Sequence, residues 1–259
     1  MEGQHKLIQT KVSLSPLIFK LPTIKNIILV LGMIRERIEF HPIPSIELSK
    51  ILQDDTLQSL HFNQDTYIDG ELSVDHSDSG MLGQGGFKTA NLSHLALSPL
   101  AVSSLGQTCH QPVAVKRPYY RVKDRTSGYT NITRYTPALE TSKIHKDANV
   151  HYWAHALLSS TYAFINRALS MSSEPPPFEI PRVCFVDAAV EITHSEGTTV
   201  QARSGKTKYS TVRSCYLVEE LIKVDTEEEF VKYIHNSDAK PLPDPDDPHF
   251  PLVDFFIFT

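Results

Sequence analysis

Cysteine is scarce: Cys109, Cys184 and Cys215 are the only three in 259 residues. That is too few and too scattered for a disulfide framework, and it fits a reducing compartment. Long apolar runs are also missing. The longest, residues 27–31, extends only to Ile34 through Gly32, well short of the ~18–20 apolar residues that span a bilayer. The amino terminus has no apolar core followed by a small-residue cleavage site, so no signal peptide is expected. The expectation is an intracellular, cytoplasmic protein with no membrane partner. A basic excess is absent too: 25 Lys and Arg face 30 Asp and Glu, a net charge of −5, which gives no support for nucleic-acid binding through a broad basic surface. What remains, 41% hydrophobic and 21% charged residues, is the composition of a globular chain long enough to bury a core.

Two stretches differ in character. Residues 1–79 mix short apolar runs with Pro16, Pro22, Pro42 and Pro44 and then an acidic, polar segment; they carry no repeat and no chemical motif, and stay unassigned. Within them 27–31 reads as a buried strand. Ser77-Asp78-Ser79-Gly80 marks a loop and a domain boundary. Beyond it, a strand–glycine turn–strand unit occupies 81–97, and Val113 to Lys116 form a short strand ending at Pro118. Residues 119–140 read as loop. A long helix is expected over 142–169, with Val150, Ala154, Leu157, Thr161 and Phe164 as its buried stripe and Trp153, Leu158 and Ile165 widening it. An apolar strand at 183–190, a loop at 193–210, a strand at 215–218 and a short helix from Asp225 through Tyr233 follow. A proline-stiffened connector then leads to an apolar helix start at 252–259.

Two features carry chemistry. Leu82-Gly83-Gln84-Gly85-Gly86-Phe87-Lys88 is a glycine-rich turn, and Val113-Ala114-Val115-Lys116 follows about thirty residues later. Glycines let a hairpin sit close over phosphates, because no Cβ intrudes and backbone N–H groups can point at oxygens. A strand lysine supplies a point charge for those phosphates. The plainer alternative is an ordinary hairpin with a surface lysine. Asp147 falls on the expected buried stripe of the helix, so it either pairs with Lys116 or simply decorates an early helical turn, where acids are favoured.

These residues resemble the alpha-type, atypical protein serine/threonine kinases, and most of all the fungal alpha-kinase-like proteins. The resemblance rests on Gly85-Gly86-Phe87-Lys88-Thr89-Ala90, on Val113-Ala114-Val115-Lys116-Arg117-Pro118-Tyr119 and on Lys146-Asp147-Ala148-Asn149-Val150-His151-Tyr152-Trp153-Ala154. It continues in Tyr216-Leu217-Val218-Glu219-Glu220-Leu221-Ile222 and Phe230-Val231-Lys232-Tyr233-Ile234-His235-Asn236, where Ile234 and His235 depart from the family signature. It covers residues 80–259. It implies an α+β fold: a kinase-like N-terminal lobe with a mainly antiparallel sheet and one long helix. It further implies that the turn at Gly83, Gly85 and Gly86 covers ATP, that Lys116 contacts its phosphates and that Asp147 pairs with Lys116. Backbone groups of Glu219, Glu220 and Leu221 would meet the adenine edge. In the complete family form ATP and Mg2+ would serve phosphoryl transfer to protein Ser/Thr, the protein substrate being unknown. The family's catalytic and metal-binding aspartates and its His/Cys zinc site would follow the segment matching 252–259. This chain is therefore expected to lack that zinc site and the C-terminal lobe and to be catalytically incomplete alone, with no catalytic residue and no metal site of its own. The alternative is a pseudokinase-like interaction module without phosphotransfer.

Other motifs do not hold. Conventional protein kinases share the glycine turn and the lysine strand, but Arg117-Pro118-Tyr119 and Lys232-Tyr233 favour the alpha type. Ser204-Gly205-Lys206-Thr207 lacks the leading glycine of a phosphate loop, Val200 standing in its place. His151 and His155 have zinc-ligand spacing but Tyr152 replaces the glutamate between them. Asp244, Asp246 and Asp247 lack the glycine and terminal glutamate of a calcium loop.

Overall fold

Strands whose successive residues face opposite sides build the molecule around a sheet. The computed structural model describes residues 9–12, 33–62, 66–102, 104–123, 130–176, 179–180, 182–194, 200–201, 207–208, 212–222, 233, 238 and 240–258. The elements are β1 (Gln9–Val12), β2 (Met33–Pro42), α1 (Leu48–Gln53), β3 (Ile68–Asp75), β4 (Met81–Gln84), β5 (Lys88–Leu97), β6 (Gln111–Lys123), β7 (Thr130–Arg134), α2 (Pro137–Met171), β8 (Arg182–Phe185), β9 (Ala188–His194), β10 (Val200–Gln201), β11 (Thr207–Lys208), β12 (Val212–Glu220) and α3 (Phe250–Phe258). The fold is α+β, with one long helix against an antiparallel sheet.

The sheet closes on itself. Its order is β4-β5-β3-β2-β9-β12-β6-β7, and an additional β5–β6 pairing joins the strands into a six-stranded barrel. Every pairing around the ring is antiparallel. One residue in two points inward: Ile38 and Phe40, Leu72 and Val74, Leu95 and Leu97, Val113 and Val115, Ala189, Tyr216 and Val218 fill the lumen. The opposite faces of β9 and β12 turn outward, where Ala188, Val190, Cys215 and Leu217 receive Ile144 and Ala148 of α2. Among the described residues, no helix is long and apolar enough to cross a membrane.

The boundary expected at residue 80 falls between two parts of one sheet. β2 and β3 lie before it, yet β2 pairs with β9 and β3 with β5. The segment after β2 also straps α2. Ile51 packs with Tyr152 and Ala156, and the Leu60 N–H donates to Asn149 Oδ1 at 2.7 Å. Tyr152 Oη and Trp153 Nε1 donate to the carbonyls of Leu57 and Gln58, each at 3.0 Å.

Several local expectations are corrected. Of the expected loop, residues 119–123 and 130–134 are strand and 137–140 are helix. β6 runs through Pro118 to Lys123, β7 pairs with its far half, and α2 begins at Pro137. Proline is favoured there because the first helical turn needs no N–H from it. Three members of the expected stripe of α2 face solvent, Val150 58%, Leu157 50% and Phe164 70% exposed, while Ala154 and Thr161 are partly buried and Ile165 is buried. The buried face is instead Glu140, Ile144, Ala148, His151, Tyr152, Ala156 and Ile165. The apolar run at 183–190 divides into β8 and β9 around Val186 and Asp187. The strand expected at 27–31, the helix from Asp225 and most of the Phe230–Asn236 signature lie outside the described residues.

The cysteines are free thiols, Cys109 exposed and Cys215 buried. Burial pushes the Cys215 thiol up to about 12, so at neutral pH it stays protonated and inert. A native thiol titration is expected to modify Cys109 rapidly and to reach Cys215 only on unfolding. Equal rates at the two positions would contradict this burial.

Candidate functional site on the outer face of the barrel

β5 and β6 carry the site because their outward-facing residues stand side by side. Ala90 pairs with Lys116, and Leu92 with Ala114. With Leu82 from β4 and Leu221 beyond β12, these residues form a small apolar patch of Leu82, Ala90, Ala114, Leu92 and Leu221. Beside it stand Lys88 and Lys116. The glycine turn closes one side. The Gly85 N–H donates to the Lys88 carbonyl at 2.8 Å, and the Tyr119 N–H donates to the Phe87 carbonyl at 2.9 Å. The Tyr119 hydroxyl donates to the Gly85 carbonyl while accepting from Gln84 Nε2 at 3.3 Å. The turn is thus pinned from beneath by β6. A Cβ added at Gly86 would meet nothing within 4 Å, so packing within the chain does not require glycine there. Gly83 lies in β4, and Gly85 and Gly86 form the turn itself.

Lys116 does not take Asp147 as its direct partner. Its ammonium donates to Glu219 Oε2 at 2.6 Å, with 1% of the lysine side chain and 4% of the glutamate exposed. Asp147 Oδ2 instead lies 2.8 Å from Lys88 Nζ. The register explains the exchange: Lys116 pairs with Leu217 on the adjoining strand, and Glu219, two residues on, projects from the same face. Asp147 comes from the helix, half-exposed rather than on its buried face, and meets the lysine nearer the turn. Burial holds the Lys116 ammonium below the usual lysine range, opposed by Glu219, with Lys88 and Asp147 acting at longer reach. The four side chains therefore form one cluster of alternating charge. Burial also lowers His151, which feels Glu219 and Lys116 from α2.

The strand end is only partly as expected. Glu219 directs its side chain to Lys116, and its backbone pairs with Ala114 and Ala188. The Glu220 N–H is taken by the Asp187 carbonyl at 2.9 Å, so it is not available to a base edge. Leu221 is the first residue past the strand. It joins Glu220 and Ile222 in a cavity of about 500 Å3 lined also by Gln107, Gln111 and Pro112. That cavity does not reach Lys116, Asp147 or the glycine turn. Among the described residues, no group of three or more His, Cys, Asp or Glu side chains could hold a metal ion.

Lys88 was missed as a site residue, although strand alternation through Ala90 places it on the face of Lys116. Also missed was the anchor below the site. Arg117 Nε donates to Glu140 Oε2 at 2.9 Å, and the Cys215 N–H donates to Glu140 Oε1 at 3.0 Å. This carboxylate fixes the first turns of α2, and with them Asp147. Comparison of the chain with protein-family models, with curated proteins and with solved structures gives no match.

Proposed function

We propose that the outer face between the glycine turn, Lys116 and α2 binds ATP in the manner of an alpha-type protein kinase N-terminal lobe, serving phosphoryl transfer to protein Ser/Thr in the complete family form. The observation that carries this reading is the convergence of Lys88, Lys116 and Asp147 beside the apolar Leu82–Ala90–Ala114–Leu221 patch and under the glycine turn. Two ammonium groups next to an apolar floor suit a ligand with a flat apolar end and an anionic end. Lys88, less buried than Lys116, would meet phosphate oxygens first, and Lys116 would follow only if Glu219 released it. Mg2+ would have Asp147 and Glu219 as its nearest carboxylates.

A second reading, an interaction module without phosphotransfer, is favoured by three particular facts. Lys116 is already sealed by Glu219, the Glu220 N–H is engaged within the sheet, and the barrel is closed rather than an open kinase-type lobe.

Calorimetric titration with Mg-ATP separates the two. On the first reading the protein binds, and Lys88→Ala weakens binding by roughly ten- to a hundredfold, the range of a charge-assisted hydrogen bond. Absence of binding, or binding indifferent to Lys88, would favour the second.

A further inference from the structure

The barrel lumen holds a carboxylate that lies apart from the candidate site. Glu191 of β9 points inward beside its cross-strand partners Phe40 and Tyr216. It is 0% exposed, and among the described residues neither of its carboxyl oxygens has a hydrogen-bond partner. Leaving an ionised carboxylate in that state is far costlier than neutralising it.

The surroundings narrow what could neutralise it. From β2 comes Glu36, itself a carboxylate, accepting from Tyr216 Oη at 2.9 Å and approached by Arg213 at 3.7 Å. From β12 comes the Tyr216 phenol, while the Cys215 thiol lies on the opposite, outer face of that strand. From β6 comes Arg117, whose guanidinium lies 5.5 Å from the Tyr216 ring centre but hydrogen-bonds Glu140 and Ser214. β3 and β5 present Leu72, Val74 and Leu95, with Ser93, whose buried hydroxyl is likewise without a partner among the described residues. An eight-stranded barrel has an interior just wide enough for side chains to fill; this one has six strands, and Phe40, Leu72, Val74, Leu95 and Tyr216 fill its lumen. No cluster of metal-ligating side chains is present among the described residues. A proton neutralises such a carboxylate without any further group.

We propose that Glu191 is a neutral carboxylic acid in the folded protein and the pH-sensitive lock of the barrel. Its ionisation places a second negative charge beside Glu36 and Tyr216. Tyr216 also stacks with Arg117, and Arg117 holds Glu140 at the start of α2, so the same event loosens the helix. Both burial and Glu36 raise the Glu191 carboxyl well above its ordinary value. The sign follows: the folded state keeps a proton that the unfolded chain has released. Stability is therefore full below the ordinary glutamate range and declines as pH rises towards the folded value.

The test compares the pH dependence of denaturant unfolding in wild type and Glu191→Gln, with Glu191→Leu as a second variant should the amide fail to fold. The ratio of the wild-type folding constant to the variant's is expected to fall by up to tenfold per pH unit above about pH 4.5. Exchange of the Cys215 amide hydrogen, which donates to Glu140, should accelerate with pH in wild type relative to the variant. Infrared difference spectra at neutral pH should show a carboxylic-acid carbonyl band that the glutamine variant lacks. A ratio flat with pH, or carboxylate bands only, would overturn the proposal.

Discussion

Replacing Glu140 by alanine is expected to lower stability by about 3–5 kcal/mol, the cost of breaking a buried ion pair from one side. Glu140 is 0% exposed and accepts from two elements at once, Arg117 of β6 and the Cys215 N–H of β12. Truncation strands a guanidinium at the barrel end and leaves a buried backbone donor unpaired, itself worth about 1–3 kcal/mol. Glu140→Gln should cost less, because an amide oxygen still accepts one N–H while the charge facing Arg117 is lost. Denaturant unfolding of the two variants measures both effects. An alanine variant within about 1 kcal/mol of wild type would show that Ile144, Ala148 and the strap across Tyr152 hold α2 without Glu140.

Lys116→Ala is expected to cost a similar amount, about 3–5 kcal/mol, for a different reason. The Glu219 carboxylate, 4% exposed, would lose the ammonium that offsets its own burial. Replacing both partners, as Lys116→Met with Glu219→Leu, should recover most of the loss, since a buried pair exchanged for apolar residues is often neutral or stabilising. The comparison bears on function as well as stability. Lost nucleotide binding in the single variant would be inseparable from partial unfolding, whereas in a folded double variant it would report on the lysine itself. A single variant as stable as wild type would mean that Glu219 finds another donor readily.

The parts of the site that were legible in the sequence are local ones. The glycine turn and the strand at Lys116 announce themselves through adjacent residues, and the helix through a long run free of glycine and proline. The face it buries is less legible, because apolar residues on a helix need not point inward. Val150, Leu157 and Phe164 recur every seven residues on the side away from the barrel, while Glu140 is buried by Arg117 and the Cys215 N–H and His151 lies against the Phe185 ring. Pairing was the other blind spot. Alternation says which residues share a face, but not which strand lies beside which, so neither the Lys116–Glu219 contact nor the closure of β2 onto β9 could be read. Pro118 misled in the same way: proline weakens a ladder, yet β6 continues because β7 takes over as its neighbour.

Barrel closure also governs the order in which the chain can become native. Ile38 finds its partner Thr193 only across most of the polypeptide, and β12, the bridge between β9 and β6, comes later still. On the ribosome β2, β3, β4 and β5 can assemble as each emerges, but their inner faces stay uncovered until residues near 220 appear. Such non-local closure makes for slow folding and a prolonged interval of exposed strand edges. Mutations that weaken β12 should therefore reduce soluble yield during synthesis more than they shift the equilibrium unfolding midpoint.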